Sequence, residues 1–167
     1  MKNFKILTAV GVFALLLCGC GGSPGYQKQQ ISEDPAKTAH FEALSKLSEP
    51  AIIAKAAAGE IAADVGGAKP HVKVAQFVFL EEISAQGGDL IYAYSLSPGW
   101  ASLKSSDRQK YLKVLAKSIT EHDCNAPSTR ALLRNGVQQV HRFFYDYPSS
   151  HLFDSQVNEE LCRKAGL

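Results

Sequence analysis

Apolar residues run almost unbroken from Ile6 to Leu17, interrupted by Thr8 and Gly11. A polar stretch then extends from Gly21-Gly22-Ser23-Pro24-Gly25 to Asp34-Pro35. It has too little apolar content to build ordered structure of its own. From Ala36 the pattern becomes periodic. Phe41, Leu44 and Leu47 recur at the three-residue spacing of a helix face. Ser48 and Pro50 mark a break and a fresh helix start, since proline is tolerated in a first turn. Ala51 to Val65 carries Ile53, Ala57 and Ile61 on one stripe with Ala54, Ala58 and Val65 beside it. So many alanines suit the close approach of a packed neighbour, with a helix dimer interface as the alternative. Gly66-Gly67 supplies the stop.

Val72 to Ile83 is rich in Val and Phe and predicts a strand. Val72, Val74, Val78 and Leu80 share one side, broken by Gln76, and Ala75, Phe77 and Phe79 share the other. Two apolar sides predict a central strand. Gln86-Gly87-Gly88-Asp89 is a turn signal. Leu90 to Leu96 returns, with Leu90, Tyr92, Tyr94 and Leu96 on one side. Pro98-Gly99 ends it, leaving Trp100 in a loop. Ser106 with Gln109 forms a capping-box pattern, and Tyr111, Leu112, Leu115 and Ile119 stripe the helix that follows. Asn125 and Pro127 predict a short helix running to Arg134, stopped by Asn135-Gly136. Val137 to Tyr147 predicts a long strand, Pro148-Ser149-Ser150 a turn, and His151 to Val157 its partner. Asn158 caps a last helical turn carrying Cys162.

The predicted order is α-α-β-β-α-α-β-β, an α+β fold. Hairpins pair antiparallel. The simplest architecture is therefore one antiparallel sheet of about four strands, in two hairpins, with helices packed on one face.

The leading run has the length of a signal-peptide core and is short of the roughly 20 residues that span a bilayer. Lys2 and Lys5 precede it, and it ends in Leu17-Cys18-Gly19-Cys20. These twenty residues resemble the lipobox of bacterial lipoproteins, with Leu at −3, a small residue at −1 and the modified cysteine at +1. The resemblance implies that residues 1–19 are a removable signal peptide. It also implies that Cys20 takes a diacylglyceryl thioether and fatty acyl groups such as palmitate, because two or three chains hold a protein on a membrane where one does not. Residues 20–35 would then be a flexible tether and residues 36–167 a single periplasmic domain. Gly21 stands at +2 where Asp would retain a lipoprotein at the inner membrane. That implies the periplasmic side of the outer membrane, with the inner membrane or cell surface as the other destinations. An uncleaved anchor or an ordinary secretory signal is the plainer alternative.

The whole chain has 18 basic and 16 acidic residues and a sequence pI of about 8.3. Losing Lys2 and Lys5 with the leader balances the two signs. No basic stripe remains, which disfavours nucleic acid as a partner. Cys18 leaves with the leader and Cys20 is acylated. Cys124 and Cys162 remain as a pair, and in an oxidising compartment they are expected to join. The alternative is a reactive Cys124 beside His122-Asp123.

P-loop, GxGxxG, HExxH and GxSxG motifs are absent from the sequence, and no cofactor is expected. His141 and His151 can meet across the last hairpin, where Asp146 or Asp154 would have to complete a metal site; solvated polar positions are the plain alternative. Glu81-Glu82 point to opposite faces of an extended strand and so make no acid/base couple. In Phe143-Phe144-Tyr145-Asp146-Tyr147, alternation places His141, Phe143, Tyr145 and Tyr147 together. That face is either the core or an open binding patch. Trp100 is a second possible contact point, or is tucked over the sheet edge.

These features point to a non-enzymatic, membrane-tethered binding or assembly module with an envelope protein partner. Small one-disulfide lipoproteins that pilot secretion-system components are similar in plan. A small-ligand or inhibitor-type binder is the alternative, which a concave aromatic pocket would favour. A periplasmic envelope enzyme is the third reading.

Overall fold

The computed structural model describes residues 33–46 and 49–167. The expected leader, Cys20, the expected tether up to residue 32 and the expected break at Leu47-Ser48 lie outside them. Helix α1 spans Pro35–Ser45, and Asp34 caps it by accepting from the Ala36 N–H at 2.9 Å. Helix α2 spans Pro50–Val65 and stops at Gly66, whose φ of 96° is left-handed. Strands β1 (Val72–Ala75), β2 (Val78–Gln86) and β3 (Asp89–Leu96) follow. Then come the single turn α3 (Pro98–Ala101), the long α4 (Ser105–Asn125) and α5 (Pro127–Arg134). Strands β4 (Gln138–Phe144) and β5 (His151–Val157) and the terminal α6 (Glu159–Lys164) complete the chain.

The α+β class holds, with the helices packed against one face of a single sheet in the order β1-β2-β3-β4-β5. Two features differ from expectation. The stretch Val72 to Ile83 holds two strands, because Gln76 and Phe77 form a turn and fold β1 back along β2. The polar Gln76 that interrupts the apolar stripe marks that turn. The sheet is therefore five-stranded and mixed, since β3 and β4 are parallel. Each hairpin fixes only its own pairing. Between the hairpins, α3, α4 and α5 carry the chain back to the starting end of the sheet, as a parallel neighbour requires.

Two apolar clusters share the covered face. One joins Phe41, Ile53, Ala54, Ala57 and Ala58 of α1 and α2 to Leu80, Ile83 and Leu90. The alanines of α2 serve close packing on β2. The other joins Leu115, Ile119 and Cys124 of α4 to Val78, Leu96, Phe143, Val157 and Cys162. The expected Cys124–Cys162 disulfide is present and ties the end of α4 to α6. An Arg130–Glu159 contact at 3.0 Å adds α5 to the same corner.

Caps are partly as expected. Asn158 accepts from the Leu161 N–H at 2.9 Å. Helix α4 instead begins two residues early, with Lys104 as cap, so Ser106 lies inside it and makes no capping bond. Asn125 is the last residue of α4, and Ala126 opens α5 ahead of Pro127. Gly136, at φ 83°, turns α5 into β4, and a Cβ there would meet Pro50 Cγ at 3.1 Å. Gly136→Ala is therefore expected to lower stability by about 2 kcal/mol, measurable by urea unfolding. A loss below about 0.5 kcal/mol would show that the turn relaxes freely.

Candidate functional site

The helices do not seal the covered face. Among α1, α2, α4 and α5, and above the sheet, lies a groove of about 310 Å³. Phe41, Ile61, Val65, Val74, Leu115, Ile119 and Leu132 make its apolar walls.

Its floor is a row of rings standing on the sheet. Tyr92 stacks on His141 with centroids 5.0 Å apart, Tyr94 on Phe143 at 4.9 Å, and Phe143 on Phe153 at 4.7 Å. The parallel register makes this row. It sets Tyr92 across from His141 and Tyr94 across from Phe143, and β5 adds Phe153 opposite Phe143.

A polar chain runs through the floor. His141 Nε2 lies 2.7 Å from Asp123 Oδ2, and its Nδ1 lies 3.2 Å from the Tyr94 hydroxyl. A carboxylate only accepts, so Nε2–H donates to Asp123; in the neutral ring Nδ1 then accepts from the Tyr94 O–H. Asp123 and His141 are each 5% exposed. Burial, and then the negative charge of Asp123, push the Tyr92 phenol well above its usual range. Burial, Tyr92 and Asp123 do the same to Tyr94. Both phenols stay protonated.

The mouth is acidic. Glu33, Asp34 and Asp64 line it with Lys37, which reaches from α1 to Asp64 of α2 at 2.9 Å. Glu33 accepts from the Ser128 N–H and the Ser128 hydroxyl, each at 2.8 Å, in the first turn of α5. A carboxylate is favourable at that positive helix end.

The opposite face carries a second, shallower cleft. His71 stacks on Phe79 and binds both oxygens of Glu81, which also accepts from the Ser95 hydroxyl. Glu82 accepts from the Tyr147 hydroxyl. A bulge between Leu80 and Glu82 breaks the alternation. It turns the Glu81 and Glu82 carboxylates to the same face, against the expectation that they point apart. Burial, the hydrogen bond to Glu82 and the negative charges of Glu82 and Glu81 push the Tyr147 phenol up to about 12. A raised pKa means the fold favours the protonated phenol. Tyr147 therefore contributes stability below pH 10 that is lost as pH rises from 10 to about 12. The ultraviolet difference titration between the wild type and Tyr147→Phe should show a midpoint of about 12. A midpoint at the ordinary tyrosine value of about 10 would sever Tyr147 from Glu82.

The predicted aromatic stripe divides. Phe143, 1% exposed, belongs to the groove floor. Strand β4 ends at Phe144, so Tyr145 and Tyr147 leave that face; Tyr145 is exposed, and both line the shallow cleft. Trp100 lies in a helical turn instead of a loop and is buried, with the Arg108 guanidinium 5.5 Å over its ring. Cys124 is held in the disulfide, away from any reactive role. His141 and His151 do not meet. His141 is buried against Asp123, contrary to a solvated position, and His151 binds Asp154 at 2.8 Å. Among the described residues no group of three His, Cys, Asp or Glu could hold a metal ion, and no helix is long and apolar enough to cross a membrane. Asp123, Tyr92 and Tyr94 are site residues the sequence did not single out. The alternation of Tyr92 and Tyr94 with Leu90 and Leu96 was the available signal.

No family model and no curated protein matches the chain. Solved structures share its fold, two of them as follows. One is a candidate secreted protein from Pseudomonas aeruginosa, 13% identical, with a TM-score of 0.54, covering 70% of this chain and 98% of that one. The other is EpsS, the pilotin of the type 2 secretion system of Vibrio vulnificus, 14% identical, with a TM-score of 0.50, covering 77% and 97%.

Proposed function

We propose that this chain is a lipid-anchored, non-enzymatic assembly module of the bacterial envelope, and that its groove holds an apolar segment of a partner protein. The observation that carries this reading is the groove: apolar walls and a ring-lined floor, left open among the helices. An amphipathic helix seats its apolar face in such a site. The fold shared with a secretion-system pilotin supports a secretion-system component as that partner. The Leu17-Cys18-Gly19-Cys20 stretch supports the anchor, and the anchor supports a place at the outer membrane.

A second reading has its own observation. The groove is concave, floored with rings, and at the lower end of the volumes that take small molecules. An apolar small ligand would fit it.

A photo-cross-linking residue in place of Val65, on the groove wall, separates the two. In intact cells it should trap one discrete protein, lost when Ile61→Asp charges the same wall. Recovery of a small molecule by mass spectrometry, with no protein adduct, would overturn the assembly reading. Cys20→Ser should accumulate as an unprocessed precursor by gel mobility and lack acyl groups by mass spectrometry. Normal processing and membrane attachment of that variant would remove the anchor.

A further inference from the structure

The groove contains one polar atom that its own structure does not use. Asp123 Oδ2 takes the His141 N–H, whereas Oδ1 accepts from none of the described residues. Asp123 is 5% exposed, yet it lines the groove. Its Oδ1 keeps some exposure, on a residue that lines that space. Tyr92 stands beside it, half-buried, with a hydroxyl to which no described residue bonds. A carboxylate so far from bulk water is costly with an incomplete set of donors. An apolar occupant would supply none of the missing donors.

The charge balance points the same way. Four carboxylates line the groove, Glu33, Asp34, Asp64 and Asp123, with Lys37 as the lysine or arginine against them. Glu33 and Asp34 are engaged by the neutral groups that they cap. Lys37 is spent on Asp64. Asp123 alone lies deep on the floor.

We propose that the segment seated in this groove carries a lysine or arginine on its apolar face, whose cation is held by Asp123 Oδ1 with the Tyr92 hydroxyl beside it. This rests on the groove being the partner site and adds what the partner must present there. A wholly apolar segment would strand the carboxylate, and an acidic one would face like charge at both the mouth and the floor. The site therefore selects against both. Rim attraction speeds encounter, and the floor contact sets the seating.

The test uses the full chain in lipid nanodiscs and two synthetic helical peptides of Leu, Ala and Gln. They differ at one position at the centre of the apolar face, lysine in one and norleucine in the other. Fluorescence anisotropy should show the lysine peptide binding about 10-fold more tightly, the size of one charge-assisted hydrogen bond. Asp123→Asn keeps the side chain's shape and its acceptor for His141. It should cut the lysine advantage to less than about 2-fold, weakening the lysine peptide and tightening the norleucine peptide, which no longer strands a charge. Equal affinity of the two peptides for the wild type overturns the inference, and that comparison does not depend on how any variant folds. Val65→Asp, on the wall, tests the groove itself and should abolish both. If both peptides bind equally and Val65→Asp abolishes both, the partner site stands and the cation requirement falls. If neither peptide binds, or if Val65→Asp changes neither affinity, the partner site falls and the inference goes with it.

Discussion

Replacing Cys124 and Cys162 together by alanine should lower the unfolding free energy by about 4 kcal/mol, the largest single effect expected in this molecule. The two cysteines are 38 residues apart in sequence. The bond removes from the unfolded chain every arrangement in which those ends are distant. Both sulfurs are also core atoms, at 3% and 0% exposure, packed with Leu133 and Val157. Alanine would therefore leave unfilled space as well as a longer free chain. The effect should concentrate in α6. That helix is six residues long, too short to persist in water alone, and its remaining side-chain ties are the Asn158 cap and the Arg130–Glu159 contact. Hydrogen exchange in the variant should show α6 opening before the sheet. If urea unfolding of the variant loses less than about 1 kcal/mol, the corner is held by packing and the chain-entropy account is wrong.

His141→Phe should cost about 3 kcal/mol. The substitution keeps a ring in the row between Tyr92 and Tyr94 but removes the N–H that serves Asp123. The carboxylate, 5% exposed, then has no side-chain donor on the described chain. The double variant His141→Phe, Asp123→Leu removes both polar partners together and should recover much of the loss, since a buried pair replaced by apolar groups is often neutral or better. Urea unfolding of the two variants reads the difference. A single variant as stable as wild type would mean that water already satisfies Asp123. A double variant worse than the single would mean that the pair is needed for packing rather than for charge.

Much of the fold was legible because local signals carried it. Proline and glycine set the bounds of α2 and α5, Asn158 marked α6, and His151 to Val157 was bounded on both sides by turn residues. The Cys124–Cys162 pairing followed from parity and from the expectation of an oxidising compartment. The pairing of β3 with β4 was not legible, because nothing local encodes which strands of two hairpins become neighbours. The site depended on that pairing. Tyr92 and His141 are 49 positions apart on strands that only the tertiary fold sets side by side. Glu81 and Glu82 failed for a different reason: one extra residue in a strand reverses the side on which its neighbour lies. The aromatic run failed at its end, because alternation predicts a face only for as long as the strand lasts, and β4 stops at Phe144.

Glu33 has a mechanical consequence. It is bonded by its carboxylate to Ser128 at the start of α5, two residues ahead of α1. Any pull on the chain ahead of Glu33 is therefore borne first by these two hydrogen bonds, in shear against the helix end. Past them the load passes into α1, which forms one wall of the groove, before it reaches the sheet. The Glu33–Ser128 contact and the α1 wall of the groove are thus in series, and a force on one is felt as a displacement of the other.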